Sequence, residues 1–458
     1  MHPLLVNKVL FPLQETIKRK PTYAYLHEIE RSQWLSAREL QQLQLKRLKS
    51  LLEFAAREVP YYGALFDQAG VKPGQISSLP DMTRIPYLDK EIIRHHQSEI
   101  QPRNQIAGTQ KMSTGGSTGS PVAVYVDPSR AAFTDAVRMR AHRWFGVDTG
   151  VREIALWGSP IELGRQDWLR NLRDRLVNSH FLAAFNMSEE QMAEYGTFIQ
   201  RFRPAKMYGY ASAFYLLAEY LKVRRWQPPS ELKVIFATAE PLYDFQRRVI
   251  EQVFHCAVAS EYGARDAGLM ANQCPKGGLH IPAEGMIVEI ENTDSTGLGE
   301  IVVTNLFSKA MPMIRYRTGD MGRLVSDPCS CGRRLPRLES VEGRRTDFLI
   351  TPGGRVLHAL AIIYPLRESP LVKQFQVVQE TVDRIVLRIV PERELSVDEI
   401  QGLIKKARLA VGGGVEVAVD CVGEIPRLAS GKYRYVISNV AEDYLQSLAS
   451  REPVPATV

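Results

Sequence analysis

Between Ile154 and Glu261 short apolar runs alternate with helical patterns, and this alternation limits the fold more than any other feature of the chain. Ile154 to Trp157, Val234 to Thr238 and Ala257 to Glu261 read as buried strands, with helical stretches around 188–202, 211–225 and 243–254 between them. A helix joining two buried strands carries the chain back across the sheet, so the strands run parallel. The class expected is α/β, a large N-terminal domain built on a largely parallel sheet. From Gly285 the rhythm changes to strands with turn signals (Met286 to Glu291, Glu300 to Asn305, Ile314 to Arg317, Arg323 to Ser326), which reads as a β-rich subdomain. The first hundred residues read as helical. Ser36-Ala37-Arg38-Glu39 is a capping box, and Asp127-Pro128 opens an amphipathic helix to about Phe145.

The last hundred residues form a unit of their own. Val372 to Gln379 and Arg384 to Val390 read as a hairpin, Ser396 caps a helix that stops at Gly412-Gly413-Gly414, and Val415 to Val422 adds a strand. The expected division is 1–344 for the large domain and 345–458 for a small α+β domain. Hydrophobic content of 45% and charged content of 24% suit a globular protein. No stretch reaches the roughly 18 apolar residues of a membrane helix. Residues 1–13 lack a basic segment and a small-residue cleavage site, so no signal peptide is read and the cytoplasm is the expected compartment. The net charge of +7 is dispersed, without the continuous basic stripe that a nucleic-acid partner needs. Five cysteines argue against a secreted disulfide framework.

Ser113-Thr114-Gly115-Gly116-Ser117-Thr118-Gly119-Ser120-Pro121 is the most informative stretch. Its glycines let backbone N–H groups converge on a polyanion, and its hydroxyls add donors. It is not a Walker A loop, because no Lys-Ser/Thr follows the last glycine. From composition alone a flexible turn and a phosphate loop are equally good readings.

The stretch resembles the phosphate-binding signature of adenylate-forming enzymes, and further motifs follow in that superfamily's order. Ala239-Glu240-Pro241 resembles the adenine-side loop. Glu261-Tyr262-Gly263-Ala264-Arg265-Asp266 resembles the Tyr-Gly motif, with Arg265-Asp266 in place of the usual Thr-Glu. Gly299 to Thr304 and Tyr316-Arg317-Thr318-Gly319-Asp320 resemble two more of its motifs, Asp320 being the ribose acceptor. Gly343-Arg344-Arg345-Thr346-Asp347 resembles the hinge, and Pro426 to Lys432 the catalytic loop of a mobile C-terminal domain. The resemblance implies ATP and magnesium, with Lys432 at the α-phosphate and Asp266 in the place of the magnesium-binding acid. Ser120 stands where many members carry a lysine, and Arg265 is a candidate for the missing charge.

Within the superfamily the chain is most similar to the phenylacetate–CoA ligase family, closest to its capsule-biosynthesis-type relatives. That implies activation of a carboxylic acid as an acyl-adenylate, release of pyrophosphate, and acyl transfer to a thiol, coenzyme A before a carrier protein, an amine or a sugar. A non-catalytic relative is the remaining alternative. Trp157, Tyr208, Gly209, Tyr210 and Thr238 are expected to line the acid pocket, aromatic lining suiting an aryl or short apolar acid, although ordinary core serves these residues equally well. Cys274, His280, Cys329 and Cys331 make two half-sites that suit tetrahedral structural zinc, although the Cys-x-Cys spacing is tighter than usual and reduced cysteines are the alternative. Monomer and homodimer both remain open.

Overall fold

A computed structural model describes residues 2–113, 122–157, 176–184, 187, 189–293, 297–344, 348–352, 356–358, 362–363, 366, 369–412, 414–426 and 433–440. Two compact units divide the chain. The first comprises Met1–Thr318 and Gly322–Val341. The second comprises Glu342–Leu428 with Gly319–Met321 and the C-terminal segment of the chain.

In the first unit, β1 (Gln110–Ser113) and β2 (Ala123–Val126) form an antiparallel pair with Ser113 opposite Ala123. The Gly/Ser/Thr stretch therefore leaves and re-enters at one end of this pair. Next come β3 (Glu153–Trp157), β4 (Ser179–Ala183), β5 (Lys206–Tyr210), β6 (Val234–Thr238), β7 (Ala257–Ala264), β8 (Gly268–Gln273) and β9 (Leu279–His280). They are followed by β10 (Met286–Glu291), β11 (Gly299–Asn305), β12 (Tyr316–Val325) and β13 (Arg337–Arg344). Among the described residues, β3–β13 make one sheet in the order β10-β11-β12-β13-β9-β8-β7-β6-β5-β3-β4. Pairing is parallel from β4 through β3, β5 and β6 to β7, as the helical crossovers require, and turns antiparallel at β8. The strands of the expected β-rich part continue the same sheet. Tyr316–Val325 is one strand where the sequence suggested two, because Thr318-Gly319-Asp320, a turn signal by composition, is tolerated here inside a strand.

The helix Ala37–Glu58 carries the capping box: Glu39 N–H donates to Ser36 Oγ, and Ser36 N–H donates to Glu39. Its buried face of Leu48, Leu51, Leu52 and Ala55 packs with Tyr62, Phe66 and Ile314. The helix Pro128–Trp144 starts as the sequence suggests, with the Asp127 carboxylate accepting from Arg130 N–H at 3.0 Å. A short helix, Lys90–His95, follows Leu88, which bridges backbone to backbone with Tyr316.

The second unit holds a small pair, β14 (Phe348–Ile350) with β15 (Val356–His358), and a four-stranded sheet. In the latter, β16 (Val372–Thr381) pairs antiparallel with β17 (Arg384–Pro391), flanked by β18 (Glu416–Cys421) and β19 (Val436–Ser438). The helix Val397–Val411 has its own capping box at Ser396 and ends where Gly412 takes φ 95°. No helix among the described residues is long and apolar enough to cross a membrane.

Candidate functional site

The carboxyl ends of parallel strands are where an open α/β sheet offers its ligand crevice. Trp157, Tyr210, Thr238 and Glu261 stand there, at the ends of β3, β5 and β6 and within β7. Trp157 stacks on Tyr210 at 4.3 Å and on Tyr208 at 5.6 Å between ring centres. Gly209 faces away from this stack. A Cβ there would lie 2.0 Å from the Leu156 carbonyl oxygen, so glycine is needed for strand packing.

The loop after β6 opens on Ala239 in the left-handed region (φ 66°), a strained conformation for a residue with a side chain. Glu240 turns back and accepts from Ser212 N–H at 2.9 Å, at the start of the Ala211–Val223 helix, whose N-cap Tyr210 makes no side-chain cap bond. Pro241 follows in the same loop.

The Tyr-Gly motif spans the end of β7 and the turn into β8. A bulge between Tyr262 and Gly263 shifts the register with β8, and Tyr262 lies half-buried against the cluster around Leu88, Val122 and Met270. Glu261 is buried. Its carboxylate accepts from Arg138 Nη2 at 3.2 Å, Arg138 Nε at 3.3 Å and the Tyr208 hydroxyl at 3.1 Å. Burial, then the Glu261 charge, pushes the Tyr208 phenol well above its usual range. Arg265 is exposed, while the Asp266 side chain is buried. Asp266 Oδ1 accepts from Ala267 N–H at 2.9 Å. Its Oδ2 accepts from the Tyr316 hydroxyl at 2.6 Å and lies 3.8 Å from Lys90 Nζ. The backbone of this turn is held by Arg130, whose Nη2 donates to the carbonyls of Arg265 (2.8 Å) and Asp266 (2.7 Å); burial pushes this guanidinium down to about 10.

Tyr316 thus ties two motifs that are 50 residues apart in the sequence. Asp320 lies half-buried in β12, and Arg344 ends β13. Ser113 ends β1. Thr114, Gly115, Gly116, Ser117, Thr118, Gly119, the hinge at 345–347 and Lys432 lie outside the described residues. Sequence reasoning missed Lys90, Arg130 and Arg138. Each sits in an ordinary helical pattern, and only tertiary packing turns it toward a motif.

The Cys/His residues come together. Cys274, His280, Cys329 and Cys331 place one ligand atom each within 4.8 Å of the others. Cys274 Sγ and Cys329 Sγ are 3.7 Å apart, far beyond a disulfide bond and close to the roughly 3.8 Å edge of a tetrahedral zinc–thiolate site. His280 Nε2 lies 3.2 Å from Cys331 Sγ, and Nδ1 is 3.3 Å from the Leu335 carbonyl, the outer hydrogen bond that fixes a ligating imidazole. Burial pushes His280 down to about 4 and the Cys274 thiol up to about 12. A Cβ at Gly278 would fall 2.7 Å from Cys329 Sγ and 3.2 Å from His280 Nε2, so the cradle needs glycine. The cluster also braces the helix Pro128–Trp144: Trp144 meets His280 edge-on at 5.7 Å and donates to Gln33 at 3.0 Å, and Arg333 stacks over Trp144 at 4.5 Å.

Comparison with known proteins agrees with this geometry. Residues 349–439 match the family described as the CapK C-terminal domain. Protein CapK of Staphylococcus aureus is 23% identical over 96% of this chain and 98% of its own. The phenylacetate-coenzyme A ligase of Thermus thermophilus is 28% identical over 88% of this chain and 97% of its own. Over most of its length the chain is thus similar to phenylacetate–coenzyme A ligases and to CapK. Among solved structures, 2-hydroxyisobutyryl-CoA ligase in its postadenylation state matches with a TM-score of 0.71 at 21% identity, over 91% of this chain and 94% of that one. An anthranilate CoA ligase bound to anthranoyl-AMP gives 0.52 at 16% identity, over 81% and 76%. At such identities the structures speak for the fold, which is that of adenylate-forming ligases.

Proposed function

We propose that this chain activates a carboxylic acid with ATP as an acyl-adenylate, releases pyrophosphate and passes the acyl group to coenzyme A. The observation that carries this reading is the 2.6 Å hydrogen bond from Tyr316 to Asp266, which brings two motifs of the superfamily to one place beside the ends of the parallel strands. Support comes also from relatives named phenylacetate-coenzyme A ligase in four bacteria.

In this reading the 113–121 stretch receives the ATP phosphates, Tyr262 and the Ala239–Pro241 loop border the adenine, and Asp320 accepts from the ribose hydroxyls. An ionised carboxylate suits that task because it only accepts. Lys432 is assigned to stabilise charge growing at the α-phosphate.

The Asp266 carboxylate, shared between a phenol and an ammonium, suits the anchoring of Lys90 better than a divalent ion. Magnesium is therefore left to the ATP phosphates.

The Cys274–His280–Cys329–Cys331 cluster is assigned to structural zinc, with all four positions filled by protein. Metal analysis of the purified protein should find about one zinc per chain, as a single closed site requires. Cys329→Ser should release it. Folded wild-type protein without bound metal, purified with no chelator, would sink this assignment.

The reaction is tested by carboxylate-dependent ATP–pyrophosphate exchange over aryl, short aliphatic and hydroxylated acids. Exchange with one acid class, followed by thioester formation on adding coenzyme A, is the expected result. ATP binding without exchange for any acid would overturn it.

A further inference from the structure

The helical turns Pro3–Leu5, Val6–Leu10 and Phe11–Ile17 follow one another without a break, the middle one being a π turn. One face of this helix is fixed to the body of the first unit. Val6 is fully buried, and Gly150, at φ 87°, admits the close approach: a Cβ there would lie 2.6 Å from the Pro3 carbonyl oxygen and 2.8 Å from Val6 Cβ. Asn7 donates to Asp148 at 3.0 Å, the Tyr23 hydroxyl donates to the Asn7 carbonyl at 2.7 Å, and Phe11 meets Tyr23 edge-on at 6.0 Å. Glu15 is buried and accepts from Thr22.

The opposite face is apolar and exposed. Leu5, Val9, Leu13 and Ile17 recur every four residues and are 45% to 74% exposed, with Leu4 beside them. Five of the twelve large apolar side chains exposed among the described residues lie on this short helix, so they form a patch and not scattered surface leucines. A four-residue repeat creeps one way around an α-helix, and the wider π turn lets it creep back, which keeps the stripe in line. Lys8 lies beside the stripe, and Lys18 and Arg19 follow its end; all three are exposed. The one acid between residues 2 and 20 is Glu15, on the buried face. Acids on the neighbouring helix and the loop after it are answered by other cations, Asp135 by Lys20 at 2.6 Å and Asp148 by Arg143 at 3.0 Å.

We propose that this helix docks the protein on the surface of an anionic lipid bilayer, with Leu5, Val9, Leu13 and Ile17 among the acyl chains and Lys8, Lys18 and Arg19 at the headgroups. It is shorter than the roughly 20 residues a spanning helix needs, so it lies in the plane of the interface. Apolar burial and attraction to anionic lipid then add. The charges select this occupant over a second copy of the chain. Twofold pairing would lay the stripe on itself and bring the three cations toward their own counterparts, with no exposed acid on the helix to answer them. The docking is independent of the adenylation reading and holds for whichever acid is activated.

The experiment is co-sedimentation of the full chain with vesicles of phosphatidylcholine, alone or mixed equally with phosphatidylglycerol. Binding to the mixed vesicles should be at least about tenfold stronger and should weaken as salt is raised. Lys8→Gln/Lys18→Gln/Arg19→Gln should weaken it about 100-fold, roughly fivefold per cation. Val9→Glu/Leu13→Glu should abolish it with the urea midpoint unchanged, since both side chains are exposed. Were that midpoint to fall, the triple variant, which alters no apolar contact, would decide alone. Absence of binding to the anionic vesicles would overturn the inference, as would binding that the glutamate variant leaves intact. A dimer in light scattering that the same variant converts to monomer would give the face to a second copy and overturn it equally.

Discussion

Replacing Lys432 with Ala is expected to slow carboxylate-dependent pyrophosphate exchange by about 10²–10³-fold, the cost of removing one preorganised group from a developing charge. Affinity for AMP should change little, because the motif residues around Tyr262 and Asp320 are untouched. In the proposed role, at the charge that builds up and not where the nucleotide is held, the effect belongs to kcat. Reversal by Lys432→Arg is expected to be poor, a planar fork being no substitute for a compact ammonium. Exchange at the wild-type rate in the alanine variant would show that another cation, Lys90 foremost, does this work.

The largest stability effect is expected at Arg140. This arginine, on the helix Pro128–Trp144, is 2% exposed and pairs at 2.5 Å with Glu284, which is fully buried. Arg140 Nη1 also donates to the Ile29 carbonyl at 2.9 Å, and Ser32 donates to Glu284 at 2.8 Å. Arg140→Met leaves a carboxylate sealed from water without its partner, and should lower unfolding free energy by about 3–5 kcal/mol in urea titrations. The double variant Arg140→Met/Glu284→Leu should regain most of that. A loss below about 1 kcal/mol in the single variant would mean that water reaches Glu284.

The parallel half of the sheet could be read from the chain because its strands are buried on both faces and appear as unbroken apolar runs; Val234–Thr238 is buried throughout. Lys206–Tyr210 escaped notice for the opposite reason. It begins with a buried lysine held at 2.7 Å by Glu153, and contains a glycine and two tyrosines, so no apolar run marks it. At the site, the motif letters located Glu261, Tyr262 and Asp266. They carried no sign that Arg138 answers Glu261 or that Lys90 and Tyr316 answer Asp266, since those partners are 123, 176 and 50 residues away along the chain. The two Cys/His half-sites were legible as a set because Cys and His are scarce in this chain and are the usual ligands of structural zinc, whereas an ion pair can draw on any charged residue.

The place of β9 in the sheet bears on how the chain assembles during synthesis. Its two residues pair on one side with β8 and on the other with β13, and His280 meets Arg337 only after the excursion through β10, β11 and β12 is made. Until then the growing sheet ends in an open edge, the kind of surface that recruits wrong partners. A two-residue strand keeps that edge too short to template another. Cys274 and Cys329 lie 55 residues apart, so the zinc proposed for them would close the same excursion; by analogy with a cross-link of that span, it would remove roughly 4 kcal/mol of freedom from the unfolded chain. Metal supply would then set how quickly the nascent protein escapes its most aggregation-prone stage.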